Sequence, residues 1–247
     1  MLLILLSSFL RAEQSSERSD YELTEKVFEK VVEQDNFEFG YSADLTKETL
    51  IQQLRKEYKD VQFFEADFVQ KSKQSGLEAE QSGHIYTAKP KSIRWEFKTP
   101  TEQLFISDGA SQWIYTPMTN QAIQSTDMSS HPAIGLLNDL SQIEDHFTVE
   151  IAAQNAESID VSIKPHNADL SQQFESMQVK LSKEPLQIRE FYLKDTMGGE
   201  FILSFSNIQF DRGAQELSEE AQKARASLFL FVPPEGTDVI KADTFNQ

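Results

Sequence analysis

No cysteine occurs among the 247 residues, which excludes a disulfide, a thiolate metal site, a cysteine nucleophile and a lipid on a cysteine of this sequence. Histidine is scarce as well. His84, His131, His146 and His166 follow neither HxH nor HExxH spacing, so neither a metal site nor a metal cofactor has support, and surface or loop positions are expected for them. The sequence lacks a GxSxG elbow, a GxxxxGK loop and a GxGxxG turn, the usual marks of nucleophilic and nucleotide chemistry. Among 40 acidic residues a carboxylate pair can be drawn anywhere, so no such pair carries information and no enzymatic activity is expected. Basic residues are the minority: 23 Lys plus Arg against 40 Asp plus Glu give a net charge of -17, which repels phosphate backbones and anionic membranes and excludes nucleic acid as a partner. Long apolar runs are missing too. The run MLLILLSSFL is far short of the about 20 residues of a membrane span and suits the apolar region of a secretory signal, so residues 1–12 are expected to be a signal peptide. No Lys or Arg precedes the run, and Leu10 stands where a cleavage site prefers a small residue; an ordinary buried N-terminal segment is the alternative.

Phenylalanine is abundant: 18 Phe accompany 6 Tyr and 2 Trp, more purely apolar ring surface than a core of this size commonly uses. Residues 13–45 are acidic and polar, with Val27, Phe28, Val31 and Val32 at helical spacing, and read as a linker with one short helix. Thr46 then suits an N-cap, and Leu50, Ile51, Leu54 and Tyr58 form one apolar stripe. From there the period changes to 2. VQFFEADFVQK, GHIYTAK, SIRWEFK, EQLFIS, QWIYT and QAIQS read as an antiparallel meander, with a hairpin turn at Ser107-Asp108-Gly109. HPAIGLLNDLSQIEDH reads as a helix whose face carries Ile134, Leu137, Leu140 and Ile143. FTVEIAA, ESIDVSIKP, FESMQVKLS, LQIREFYLKD and GEFILSFSNIQF resume the strands, with Met197-Gly198-Gly199 as the last tight turn. A polar helix-prone excursion, GAQELSEEAQKARAS, precedes a final strand in LFLFVPPEGTDVI.

About eleven antiparallel strands must curl or split, because open twisted sheets of that size are uncommon. Ile93, Trp95 and Phe97 project to one side of their strand and Arg94, Glu96 and Lys98 to the other; Phe201, Leu203 and Phe205 form a second apolar row. With few helices available, the expected fold is mainly β with a few helices (α+β): an incomplete antiparallel β-barrel with a helical lid over an apolar cavity.

The strings GHIYTAKPKSIRWEFKTP and EQLFISDGASQWIYTP resemble the LolA family of outer-membrane lipoprotein carriers. FEADFVQK is similar to that family's opening strand, with Phe64 and Phe68 on one face. Gly83, Pro90, Trp95, the Asp108-Gly109 turn, Trp113, Tyr115, Pro117 and Gln121 keep the family's order. HPAIGLL resembles its helix after a proline, and FLFVPPEGTDV its ending, so the resemblance spans about residues 46–247. The acidic stretch before Thr46 and the insertion at residues 215–226 depart from the family pattern.

The resemblance implies a soluble periplasmic chaperone, expected as a monomer without cofactor. It would take acylated lipoproteins from an inner-membrane ABC transporter, shield their acyl chains, and deliver them to an outer-membrane acceptor that is itself a lipoprotein. The implied cavity residues are Phe64, Phe68, Trp95, Phe97, Trp113, Tyr115, Phe201, Leu203 and Phe205, with Trp95 and Phe97 equally readable as structural core. Ile134, Leu137 and Leu140 are implied for the lid, and Lys89, directly before Pro90, for a hydrogen bond to it; a snorkelling strand-end lysine is the alternative. Ile93 falls where the family exposes an apolar side chain to the transporter, against plain strand alternation. A periplasmic lipid or glycolipid carrier or sensor on the same scaffold is the rival function.

Overall fold

The computed structural model describes residues 44–126, 140–166, 168–213 and 217–242. The chain divides into Met1–Asp44 and Leu45–Gln247, and the second unit carries all the elements below. The expected signal peptide, acidic linker and first short helix lie outside the described residues, as do Ile134 and Leu137. Helix α1 (Lys47–Tyr58) opens the unit, capped by the Thr46 hydroxyl, which accepts from the Thr49 amide at 3.3 Å. It buries Leu50, Ile51, Leu54 and Tyr58, the stripe that the helical spacing predicts.

Strands β1 (Phe63–Gln74), β2 (Leu77–Ala88), β3 (Ser92–Thr99), β4 (Gln103–Ser107), β5 (Gln112–Thr116) and β6 (Gln121–Ser125) form the first meander. The short helix α2 (Ile143–His146) follows a 3-10 turn at Leu140–Gln142, and a second meander runs through β7 (Phe147–Gln154), β8 (Ser158–Pro165), β9 (Phe174–Ser182), β10 (Gln187–Asp195) and β11 (Glu200–Asp211). Helix α3 (Ala168–Gln173) sits between β8 and β9. Helix α4 (Glu219–Ser227) leads into an irregular strap and strand β12 (Asp238–Lys241).

All twelve strands belong to one sheet in the order β12-β6-β5-β4-β3-β2-β1-β11-β10-β9-β8-β7, so the meanders join where β1 pairs with β11. The sheet is open, with β12 and β7 at its edges, and confirms a mainly β, unclosed architecture. Three details differ from the sequence reading. First, β12 adds a twelfth strand that pairs parallel to β6, because the strap carries the chain along the sheet instead of turning back on it. Second, LFLFV is no strand but part of that strap. Third, β1 and β2 form one long hairpin whose two-residue turn, Ser75-Gly76, has both φ angles positive (53° and 79°), the geometry that matches the twist of the flanking strands.

Register shifts between Glu65 and Asp67 on β1 and between Ser82 and Gly83 on β2 mark bulges, which bend strands and increase local twist. At the second of these the strands crowd: a Cβ on Gly83 would fall 1.7 Å from the Glu96 carbonyl oxygen and 3.1 Å from the Phe68 ring. The obstacle at Glu96 is backbone held in the ladder and cannot swing away. Gly83→Ala is therefore expected to destabilise the protein by about 3 kcal/mol or more, the upper range for overpacking. The denaturant midpoint checks this, and an unchanged midpoint would mean that the β2–β3 ladder yields.

Candidate functional site

Strand pairing assigns every side chain to one of two faces. On the face beneath α1, here called the inner face, one row runs Ala66, Ile85, Trp95, Phe105, Ile114 and Ile123 across β1 to β6. Beside it, Phe205, Phe68, Gly83 and Phe97 are adjacent from β11 to β3. The other half of the sheet continues the face with Phe201, Leu203, Phe191, Leu193, Met177, Val179 and their partners on β8 and β7. Phe68 stands perpendicular to both Trp95 and Phe97, at centroid distances of 5.4 and 5.2 Å, while Trp95 and Phe97 stack at 5.5 Å. Seven of the nine expected cavity residues, Phe64, Phe68, Trp95, Phe97, Phe201, Leu203 and Phe205, therefore share one continuous apolar face.

Trp113 and Tyr115 do not. Trp113 pairs with Ile106, which pairs with Arg94, and Tyr115 pairs with Leu104, opposite Glu96. Both rings thus lie on the outer face, where each packs on Phe231 of the strap at 5.5 and 5.4 Å. This corrects the expectation that they line the cavity side: the aromatic row changes face between β3 and β5 because the outer face is also covered there. Ile93 is a second correction. It is 2% exposed, paired with Thr87 and Ser107 inside β3, so it presents no side chain to a partner, and strand alternation explains it.

The outer face is built from polar pairs and from the strap. The Asp67 carboxylate accepts from the Asn207 amide at 2.7 Å and lies 2.7 Å from His84 Nδ1, and these two contacts hold its pKa below the usual carboxylate range. His84 is accordingly a strand residue and not the surface or loop histidine expected, its ring against Tyr86 at 4.5 Å. The Arg94 guanidinium binds Glu96 at 2.5 Å and donates to the Leu228 carbonyl at 3.1 Å. Arg225 pairs with Asp211 at 2.6 Å and lies over Phe63 at 4.3 Å, which anchors the end of α4.

On the inner face, α1 is tied at both ends. Near its start, the Leu45 amide and carbonyl bind the Gln154 side chain on β7 at 2.9 and 3.0 Å; in its last turn, Arg55 reaches Glu144 at 3.1 Å. At its end, Tyr58 packs edge-on against Phe210 at 5.3 Å; its hydroxyl donates to the Leu186 carbonyl and accepts from the Ile188 amide, each at 3.4 Å. The Lys89 ammonium donates to the Lys59 carbonyl at 3.1 Å and the Tyr58 carbonyl at 3.5 Å, a cation set at the negative end of a helix. Lys89 thus bonds to a helix that crosses the inner face, and that helix is α1. Leu140 and Ile143 are buried beside it.

Two buried polar atoms have no hydrogen-bond partner among the described residues: His84 Nε2 on the outer face and Trp95 Nε1 on the inner. The indole signal was invisible in the sequence, because a strand tryptophan normally finds an acceptor and only the register reveals that this one faces an apolar row. Among the described residues, no group of three or more His, Asp or Glu could hold a metal ion. Nor, among those residues, is any helix long and apolar enough to cross a membrane. Among the described residues, the inner face can grip apolar matter by contact and carries one buried donor without a partner, Trp95 Nε1.

The family described as outer membrane lipoprotein carrier protein LolA matches residues 59–217. An outer-membrane lipoprotein carrier protein of Azotobacter vinelandii is 30% identical over 209 residues, 82% of this chain and 93% of that one. One from Hahella chejuensis is 29% identical over 189 residues, 74% of this chain and 84% of that one. A LolA superfamily protein of Nitrosomonas europaea, of known structure, aligns over 72% of this chain and 97% of its own at 7% identity and a TM-score of 0.39.

Tyr58 gives a test of the helix anchor. Burial pushes its pKa up to about 12, so the folded state prefers the neutral phenol. The stability this contributes is complete below the free tyrosine value of about 10 and is lost as pH rises through about 12. Relative to the native chain, Tyr58→Phe should lower stability by about 1 kcal/mol at pH 8 through its lost hydrogen bonds, yet remove roughly 2 kcal/mol of the alkaline decline. Urea denaturation of both proteins at pH 8 to 12 decides it, and parallel alkaline slopes would place the ionising group elsewhere.

Proposed function

We propose, since the chain belongs to the LolA family of outer-membrane lipoprotein carrier proteins, that it is a periplasmic chaperone. It accepts acylated lipoproteins released by an inner-membrane ABC transporter, holds their acyl chains against the inner face, and passes them to an outer-membrane acceptor. The observation that carries this reading is the uninterrupted aromatic patch of Phe64, Phe68, Trp95, Phe97 and Phe205 on that face.

The need for such a face follows from transfer energetics. A methylene leaving the bilayer for water costs about 0.8 kcal/mol, so a single chain of about 16 carbons is held in its membrane by roughly 12 kcal/mol. No soluble protein can carry it without an apolar surface of similar worth. Phenylalanine rings supply that surface without directional bonds, so the same face accepts chains of different length and gives them up to a partner that covers them better.

Phe68 and Trp95 are 2% and 4% exposed, which means that cargo reaches them after the helical cover shifts. Tyr58, Lys89 and Gln154 tether α1 to β10, to the β2–β3 connection and to β7, while Leu140 and Ile143 pack beside it as buried apolar side chains. The ion pairs from Arg55 and Lys47 to Glu144, at 3.1 and 3.9 Å, join the two parts and are exposed enough to exchange with water at little cost.

The experiment is lipoprotein release. Purified protein is incubated with energised spheroplasts of its own source, and the soluble fraction is assayed for acylated lipoprotein bound one to one. Release that disappears when the cargo's acylated cysteine is replaced supports the reading. Phe201→Glu, which puts a charge at a half-buried position of the same face, should reduce release at least tenfold while strand content, read by circular dichroism, stays near that of the parent. No release from competent membranes would overturn the lipoprotein assignment and favour a carrier of free lipid, detectable as co-purified lipid by native mass spectrometry.

A further inference from the structure

Trp95 occupies the middle of the inner face with its indole N–H buried and, among the described residues, without an acceptor. An indole nitrogen only donates, and a buried donor without a partner is a cost that folded proteins seldom leave standing. The ring is not free to turn and find a partner, for Phe68 stands at 90° to it and Phe97 lies within 13° of parallel on its own strand. Its row neighbours across the ladder are Ile85 and Phe105, whose side chains carry no acceptor. The flanking inner-face positions are Thr87, Ile93 and Ser107 on one side and Gly83, Phe97 and Gln103 on the other, none of them charged. The other tryptophan, Trp113, is on the outer face against the strap, so the N–H of Trp95 is the tryptophan donor of this face.

A surface that met hydrocarbon alone would be served equally by phenylalanine at this position. A fixed donor in an apolar row fits a ligand that brings one neutral acceptor into apolar surroundings. Acyl chains do this at the ester or amide carbonyl that joins them to a headgroup. A free fatty acid would bring an ionised carboxylate, which loses its hydration here and meets no cation on the neighbouring positions.

We propose that Trp95 Nε1 donates a hydrogen bond to the ester or amide carbonyl of a bound acyl group, so that the inner face selects neutral carbonyl-linked chains over hydrocarbon and over ionised fatty acid. This rests on the reading of the inner face as an acyl-chain surface and adds to it a polar reading head. The bond would also fix the depth at which a chain sits, since the first carbon of the chain is held at Trp95 while the methylenes beyond it remain free to slide over the rings.

The test compares two lipids that differ by one carbonyl: 1-monomyristoylglycerol and its ether counterpart 1-O-tetradecylglycerol, with tetradecanoate as the ionised control. Calorimetry on the full chain should give the ester about tenfold higher affinity than the ether, the weight of one net hydrogen bond, with tetradecanoate weaker than the ester. In Trp95→Phe the ester and ether should bind alike. In a Trp113→Phe background, Trp95 is the remaining tryptophan, and its N–H-sensitive Raman band should move to the hydrogen-bonded position with the ester and stay unmoved with the ether. Equal affinities in the parent, a preference that survives Trp95→Phe, or an unmoved Raman band with bound ester each overturn the proposal, the last whether or not Trp95→Phe folds. Failure of the parent to bind either glyceryl lipid is a different result, which removes the acyl-chain reading of the face itself.

Discussion

The pairing of β1 with β2 on one side and β11 on the other decides what every other strand presents to each face. These two ladders join the two meanders, and they set Phe68 opposite Gly83 and Phe205 while Asp67 meets His84 and Ser206. A slip of one residue in either ladder would carry the phenylalanines to the outer face and the charged residues inward, because strand side chains alternate with a period of two. Two features resist such a slip. The Phe68 ring sits over a glycine where another residue would collide with β3, and the bulge at Asn207, whose φ is 51°, lets its amide reach back to Asp67. The aromatic patch is thus a consequence of register fixed at the centre of the sheet.

From that centre the two faces are finished by different means. The outer face receives the strap, which inserts Phe229 and Phe231 toward Phe63, Trp113 and Tyr115 and leaves Val232 84% exposed. The inner face receives α1, tied by hydrogen bonds at its ends and by apolar contact along its stripe. This difference bears on the carrier reading. Ring contacts and the Arg94–Leu228 hydrogen bond with the strap, and the Arg225–Asp211 pair of α4, hold the outer face independently of the inner one, so on the carrier reading apolar contacts on the inner face could be traded for cargo without loss of the ladder.

Much of this was legible in the sequence. Period-two alternation marked β1, β3 and β11, and Thr46 with the stripe from Leu50 to Tyr58 marked α1, because both patterns report burial on one side of an element. The family resemblance named the scaffold, and seven of the nine expected aromatic and apolar positions share a face. What failed did so for a common reason: where both faces of a strand are covered, alternation stops reporting which way a side chain points. In β4, Leu104, Phe105 and Ile106 are apolar in succession, and only pairing assigns Phe105 inward and Ile106 toward Arg94. Trp113 and Tyr115 inherit their side from that strand. Ile93 failed differently. The family resemblance implied an exposed apolar side chain there, yet β3 begins at Ser92 and buries it. The parallel pairing of β12 had no local signal at all, since it depends on where a long irregular strap delivers the chain.

A carrier must bind strongly enough to empty a membrane and weakly enough to fill another. Apolar area alone meets the first demand and works against the second, since affinity then grows with every methylene covered. A face of rings with a fixed, unpartnered donor would separate these tasks. Ring contacts scale with chain length and are released gradually as a partner covers the chain from its far end, whereas a hydrogen bond to the carbonyl is made or broken once. Under the proposed division the donor would mark where the headgroup stops, the rings would decide how much chain is shielded, and the cover bonded through Tyr58 and Lys89 would govern when either can exchange. On the proposed carrier function, directionality would need no energy source in the carrier itself: a receiving surface with more apolar cover and an equivalent acceptor for the headgroup would suffice to draw the chain onward.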